Sequence, residues 1–184
     1  PGVDIESSVA ALREAKKLDY RGVILSAFPS GNARLSADDD PFWAAAEEEQ
    51  MPIHIHSGLR HAGKRKAGSA KKAATAVSGD RITMATMGGA VAGASDFISR
   101  FIYSEMFDRF PGLQMVAVEC GAGWIPNFLE HMDDHWWRNR VWTGSKLKMI
   151  PSEYFRRNWM VGFIREPFAV LNRHCIGVDN MMWA

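Results

Sequence analysis

Cysteine is scarce in this chain: Cys120 and Cys175 are the two among 184 residues, too few for the disulfide framework that staples small secreted domains. Charge of one sign is missing as well. The 22 Lys and Arg stand against 21 Asp and Glu, a formal net charge of +1, so no whole-molecule field draws the protein to nucleic acid or to an anionic membrane surface. No apolar run reaches the roughly 18 residues that would span a bilayer, and the opening PGVDIESS lacks the pattern of a signal peptide. Internal repeats and linker-like stretches are absent too. Together these absences predict a soluble cytoplasmic protein with no nucleic-acid or membrane partner, whose function rests on a local site.

What is present is an ordinary globular composition, 47% apolar and 23% charged, enough to bury a substantial core. Asp4 reads as the N-cap of a helix with Ile5, Val9, Leu12 and Ala15 at helical spacing and Lys16 and Lys17 near its end. A short β-rich run, YRGVILSAF, follows. A second helix, DPFWAAAEEEQ, starts with Asp40 as cap and Pro41 in its first turn. MPIHIHSG is the next strand. Residues 95–109 form a helix with Phe97, Ile98, Phe101 and Ile102 inward, ended by Pro111. LQMVAVE is a strand, and the helix after it carries Phe128, Leu129, Met132 and Trp136 as its inner stripe. NWMVGF and the terminal NMMWA complete five apolar runs alternating with helices, the pattern of a parallel sheet covered by helices.

An open doubly wound sheet and a closed eightfold barrel both satisfy that pattern. The tempo matches a barrel of about 250 residues lacking its first strands. The chain opens without Met and stops inside an apolar run, so residues 1–184 are expected to be a single fragment cut from a longer protein.

Several residues could carry chemistry. His54 and His56 alternate along one strand and so share a face; they are either metal ligands or histidines accommodated in a core. In a barrel, His56 would lie at the C-terminal mouth and His54 one layer deeper, which makes His56 the better ligand candidate. Glu119 ends a strand before a Gly-rich turn, where a carboxylate serves as ligand, general base or orienter of a neighbouring His, or is simply paired. Gly121 and Gly123 make a near-match to a dinucleotide fingerprint, but Pro126 stands where Gly or Ala is needed, and nucleotide binding is set aside.

Cys120 has no partner nearby in sequence to activate it and reads as a buried structural thiol. His131 and His135, four apart on a helix, read as part of a solvated face. The basic stretch at residues 59–81 is either a solvated loop or a cover over the mouth that attracts a carboxylated substrate. Seven tryptophans fill core or subunit contacts, which leaves a homo-oligomer open.

Taken in order, RGVIL, DPFWAAAEEEQMPIHIHSG, FDRFPGLQMVAVECGAGWIPNFLEHMD, YFRRNWMVGF and IGVDNMMWA resemble the amidohydrolase-related family, in the branch similar to aminocarboxymuconate-semialdehyde decarboxylase. The resemblance implies a partial (β/α)8 TIM barrel, roughly strands 4 to 8, truncated at both ends, and a divalent metal, zinc with manganese as the alternative. It puts His56 at the fifth-strand ligand position, with His54 beside it as the other metal candidate. Glu119 takes the sixth-strand position, commonly His, as the catalytic candidate. The metal-binding Asp is expected just past Ala184, so Asp179 is not promoted to that role. The chemistry implied is non-oxidative decarboxylation of a small carboxylated substrate, aromatic or semialdehyde; the alternatives are metal-dependent hydrolysis of a C–N, ester or lactone bond, and a non-catalytic scaffold.

Overall fold

The computed structural model describes residues 4–56 and 89–183. The basic stretch at 59–81, and with it the expectation of a cover over the mouth, lies outside the described residues. The elements run in order α1 (Ile5–Lys17), β1 (Val23–Leu25), a 3-10 turn (Ala37–Asp39), α2 (Asp40–Glu48), β2 (Ile53–His56), α3 (Ala90–Tyr103), α4 (Met106–Arg109), β3 (Met115–Val118), α5 (Ile125–Thr143), α6 (Pro151–Asn158), β4 (Trp159–Phe163), α7 (Pro167–Leu171), α8 (Arg173–Ile176), a 3-10 turn (Val178–Asn180) and β5 (Met181–Trp183).

The strands form one five-stranded sheet in the order β1-β2-β3-β4-β5, each pair parallel. Strand order equal to chain order settles what periodicity left open. A doubly wound sheet reverses direction at a switch point; here each crossover steps the same way, as in an arc of a (β/α)8 barrel.

Register divides the sheet into two faces. Ile53, Met115 and Trp159 lie side by side, as do Ile55, Ala117 and Val161, and all six are buried in the core beneath the helices. Trp159 is the centre of that core, with Phe101 edge-on at 5.9 Å, Phe107 at 6.2 Å and Phe97 tilted at 5.7 Å between centroids. The opposite face carries Ile24, His54, Val116 and Met160 in one row, with His56 and Val118 in the next.

Local chemistry accounts for the element ends. Asp4 caps α1 as expected, accepting from the Ser7 N–H at 2.8 Å. The cap of α2 is Asp39, one residue before the expected Asp40; Asp39 is fully buried and accepts from the N–H groups of Ser30 at 2.8 Å and Ser36 at 3.2 Å. The single helix expected over 95–109 is two helices, because Glu105 adopts φ 60 and turns its carboxylate to the Lys146 N–H at 3.0 Å. The short α6, absent from the sequence reading, runs straight into β4. Asn158 at that junction is buried and donates to the carbonyls of Pro111 and Leu113 at 3.0 and 2.8 Å, pinning the strand beneath the helices. On the same helix Tyr154 donates to Asp108 at 2.6 Å, and burial with that bond pushes its hydroxyl up to about 12.

Candidate active site at the strand ends

His56 is the last residue of β2, and Glu119 follows the last residue of β3. Both therefore stand at the C-terminal edge of the sheet, where barrel enzymes do their chemistry. The His56 Nε2 and Glu119 Oε2 atoms are 3.1 Å apart, and each side chain is about half exposed, 48% and 47%. A pair so open to water contributes little to stability.

Glu119 has φ 53. A non-glycine residue in this left-handed region stores roughly 1–3 kcal/mol of strain, and such outliers concentrate where function demands them. The turn after it is tied down from several sides. Gly121, at φ 72, donates its N–H to the Gly162 carbonyl at 3.1 Å. The Trp124 indole donates to the carbonyls of Cys120 and Gly121 at 3.0 and 3.1 Å. Glu166, between β4 and α7, accepts from the N–H groups of Ala122 at 2.5 Å and Gly123 at 3.2 Å. Those N–H groups are the donors an incoming phosphate would use, so the Gly-rich turn is already filled by an internal carboxylate.

The two strand histidines go to different places. His56 meets Glu119 at the mouth, whereas the His54 ring lies over Gly22, so close that a Cβ there would come 2.6 Å from its Nε2. Gly22 precedes β1, which places the His54 ring toward the N-terminal end of the strands, and burial lowers its pKa from the usual 6.5. Cys120 is buried and its thiol donates to the Val118 carbonyl at 3.2 Å, in keeping with a structural thiol. His131 and His135 lie on the outer helix α5 with ring centroids 5.6 Å apart. They line a cleft of about 560 Å³ with Tyr103, Glu105 and Arg140, none of it shared with the strand ends.

Among the described residues no group of three or more His, Cys, Asp and Glu side chains converges into a metal cage. The donors that do meet, one imidazole and one carboxylate, are of the types that zinc and manganese accept. They fit part of a divalent site. Glu166, Gly22 and Gly162 were missed in the sequence; the one local signal was the acidic residue placed before Pro167 at a helix start.

A parallel sheet wound in one direction, with a histidine and a carboxylate at its C-terminal edge, is an arc of a β/α-barrel scaffold. The amidohydrolase family model matches residues 1–184, and the chain belongs to that family. Among solved structures it is similar to the 5-carboxyvanillate decarboxylase LigW of Sphingomonas paucimobilis, at 25% identity and a TM-score of 0.69, over 97% of this chain and 52% of that one. It is also similar to the 5-carboxyvanillate decarboxylase of Novosphingobium aromaticivorans, solved with manganese and 4-hydroxy-3-methoxy-5-nitrobenzoic acid, at 20% identity and a TM-score of 0.71, over 98% of this chain and 51% of that one. A third is the 2,6-dihydroxybenzoate decarboxylase of Rhizobium, at 16% identity and a TM-score of 0.64, over 96% of this chain and 55% of that one. The chain thus spans about half the length of these structures. No curated protein matches it. Among the described residues no helix is long and apolar enough to cross a membrane.

Proposed function

We propose that this chain supplies the His56–Glu119 corner of a divalent-metal site that removes carbon dioxide, without oxidation, from a small carboxylated aromatic substrate. The observation that carries the reading is the 3.1 Å approach of His56 to Glu119 across neighbouring strand ends, on a backbone strained at Glu119. Likeness to three decarboxylases of aromatic acids supports the substrate class. The near-neutral formal charge of +1 supports a small molecule over nucleic acid as partner, and the same reading keeps the protein in the cytoplasm.

His56 would hold the metal through its imidazole, with Glu119 as its neighbour; His54, the other metal candidate, turns its ring over Gly22 and away from that contact. The bound cation would anchor the substrate's oxygens and draw electron density from the scissile bond. The residues of this chain handle the proton. When the bond from ring carbon to carboxylate breaks, its electron pair stays on the ring carbon, which must take one proton as carbon dioxide leaves. Glu119, open to the mouth and hydrogen-bonded to His56, is placed to hold that proton and pass it on.

The test is made on a protein that spans its relatives' whole length. With a panel of carboxylated phenols, carbon dioxide should be released without incorporation of oxygen from labelled water; incorporation without release would turn the reading to hydrolysis. Metal content measured after loading with manganese or zinc should fall on His56→Ala, and an unchanged load would remove His56 from the site.

A further inference from the structure

We infer that Glu166 is a positioning residue for this site: its carboxylate locks the 119–123 turn in the shape that aims Glu119 at His56. The inference rests on the proposed metal site and adds a residue to it. A left-handed Glu119 does not hold its conformation unaided, because the backbone on either side must make relaxation unfavourable. On its N-terminal side that restraint is the β3 ladder. On its C-terminal side it is the turn 121–123, and among the described residues Glu166 is the one side chain that takes two of its N–H groups, Ala122 at 2.5 Å and Gly123 at 3.2 Å.

Space at the turn is shaped to that carboxylate. A Cβ on Gly121 would stand 2.6 Å from Glu166 Oε1, at a φ of +72 that disfavours a side chain anyway. The neighbouring Gly162 serves the same turn: its carbonyl accepts from Gly121 N at 3.1 Å, and a Cβ there would lie 3.2 Å from the Glu119 nitrogen. Glu166 and Gly162 come from β4 and the segment after it. The third strand's catalytic carboxylate is therefore aimed by the fourth strand, and no cationic side chain among the described residues pairs with Glu166 to compete for it. A hydrogen bond from N–H to an ionised carboxylate is stronger than one to a neutral acceptor; Glu119, which this turn aims, is the hydrogen-bond partner of His56, and losing such a partner of a metal ligand lowers metal affinity by about 10- to 100-fold.

Glu166→Ala and Glu166→Gln separate aiming from mere folding, since Gln keeps an acceptor oxygen at nearly the same reach. In the protein spanning its relatives' whole length, Glu166→Ala is expected to speed amide exchange at Ala122 and Gly123, lengthen the His56–Glu119 contact in a crystal structure, and weaken manganese binding by about tenfold. Glu166→Gln should recover most of the affinity. An unchanged contact and unchanged manganese affinity in Glu166→Ala would overturn the inference, as would an affinity loss with the Glu119 backbone unmoved. If Glu166→Ala fails to fold, Glu166→Asp, whose carboxylate falls a methylene short of the turn, is judged by the same measures. Should the unsubstituted protein bind neither manganese nor zinc, the metal reading fails, and the exchange and crystallographic results still decide the role of Glu166.

Discussion

The two faces of the sheet are made from the same short strands and have opposite fates. Under the helices, Ile53, Ile55, Met115, Ala117 and Val161 are all fully buried, whereas across the sheet Val116 is buried at the centre but Ile24 is 68% exposed and Met182 39%. The helix-covered face supplies the packed core, and the other face presents His54, His56 and the strand ends. The difference teaches that stability and chemistry are carried by alternate residues of one strand: in IHIH, the isoleucines hold the fold and the histidines look away from it.

Four experiments would break or sharpen this contrast. The largest effect belongs to the packed face. Trp159→Ala should cost about 3–5 kcal/mol, read as a drop in the urea midpoint, because it empties the centre of the aromatic cluster. Next comes Gly22→Ala, which drives a Cβ into the His54 ring and to 3.0 Å from the Pro52 carbonyl. It should cost about 1–3 kcal/mol, and adding His54→Ala should recover most of that loss, since contacting sites are not additive. Smaller and of opposite sign, Glu119→Gly should raise stability by about 0.5–1 kcal/mol by releasing the left-handed backbone while activity disappears. A stability gain with activity retained would remove Glu119 from the chemistry.

The smallest effect is pH dependence at His54. Burial lowers its folded pKa below the ordinary 6.5, so the unfolded chain takes up the proton first. Stability is then fully present above about pH 6.5 and falls as the pH drops toward the folded value. Thermal melts of the protein and of His54→Gln should converge at neutral pH and separate in acid, with the variant losing less; parallel curves would show that His54 ionises as freely in the fold as out of it.

Much of this architecture was legible in the sequence. Each strand is a continuous apolar run, and the run itself records burial between layers. Winding direction was not legible in periodicity, because singly and doubly wound sheets use identical runs and differ only in which edge each new strand joins; the ordered motifs shared with the amidohydrolase-related family supplied it. The histidines divide the same way. Alternation places His54 and His56 on one face, but the destination of the His54 ring depends on the missing Cβ of Gly22, far back in the chain, and no spacing rule within β2 contains it. Glu166 was invisible for a related reason: its partner Ala122 is 44 residues away, and the donors it satisfies are backbone groups that carry no residue identity. The break at Glu105 was hidden because a left-handed glutamate looks, in sequence, like any other helix former.

Cys120 gives the strand-end turn a chemical clock. It sits beside Glu119 with its thiol buried, while Cys175 stands exposed. A maleimide should therefore label Cys175 at once and Cys120 only when the turn opens. With Cys175 and any cysteine outside residues 1–184 replaced by Ser, the slow labelling rate at Cys120 would measure how often the segment that carries Glu119 comes loose, with no substrate and no metal in the tube.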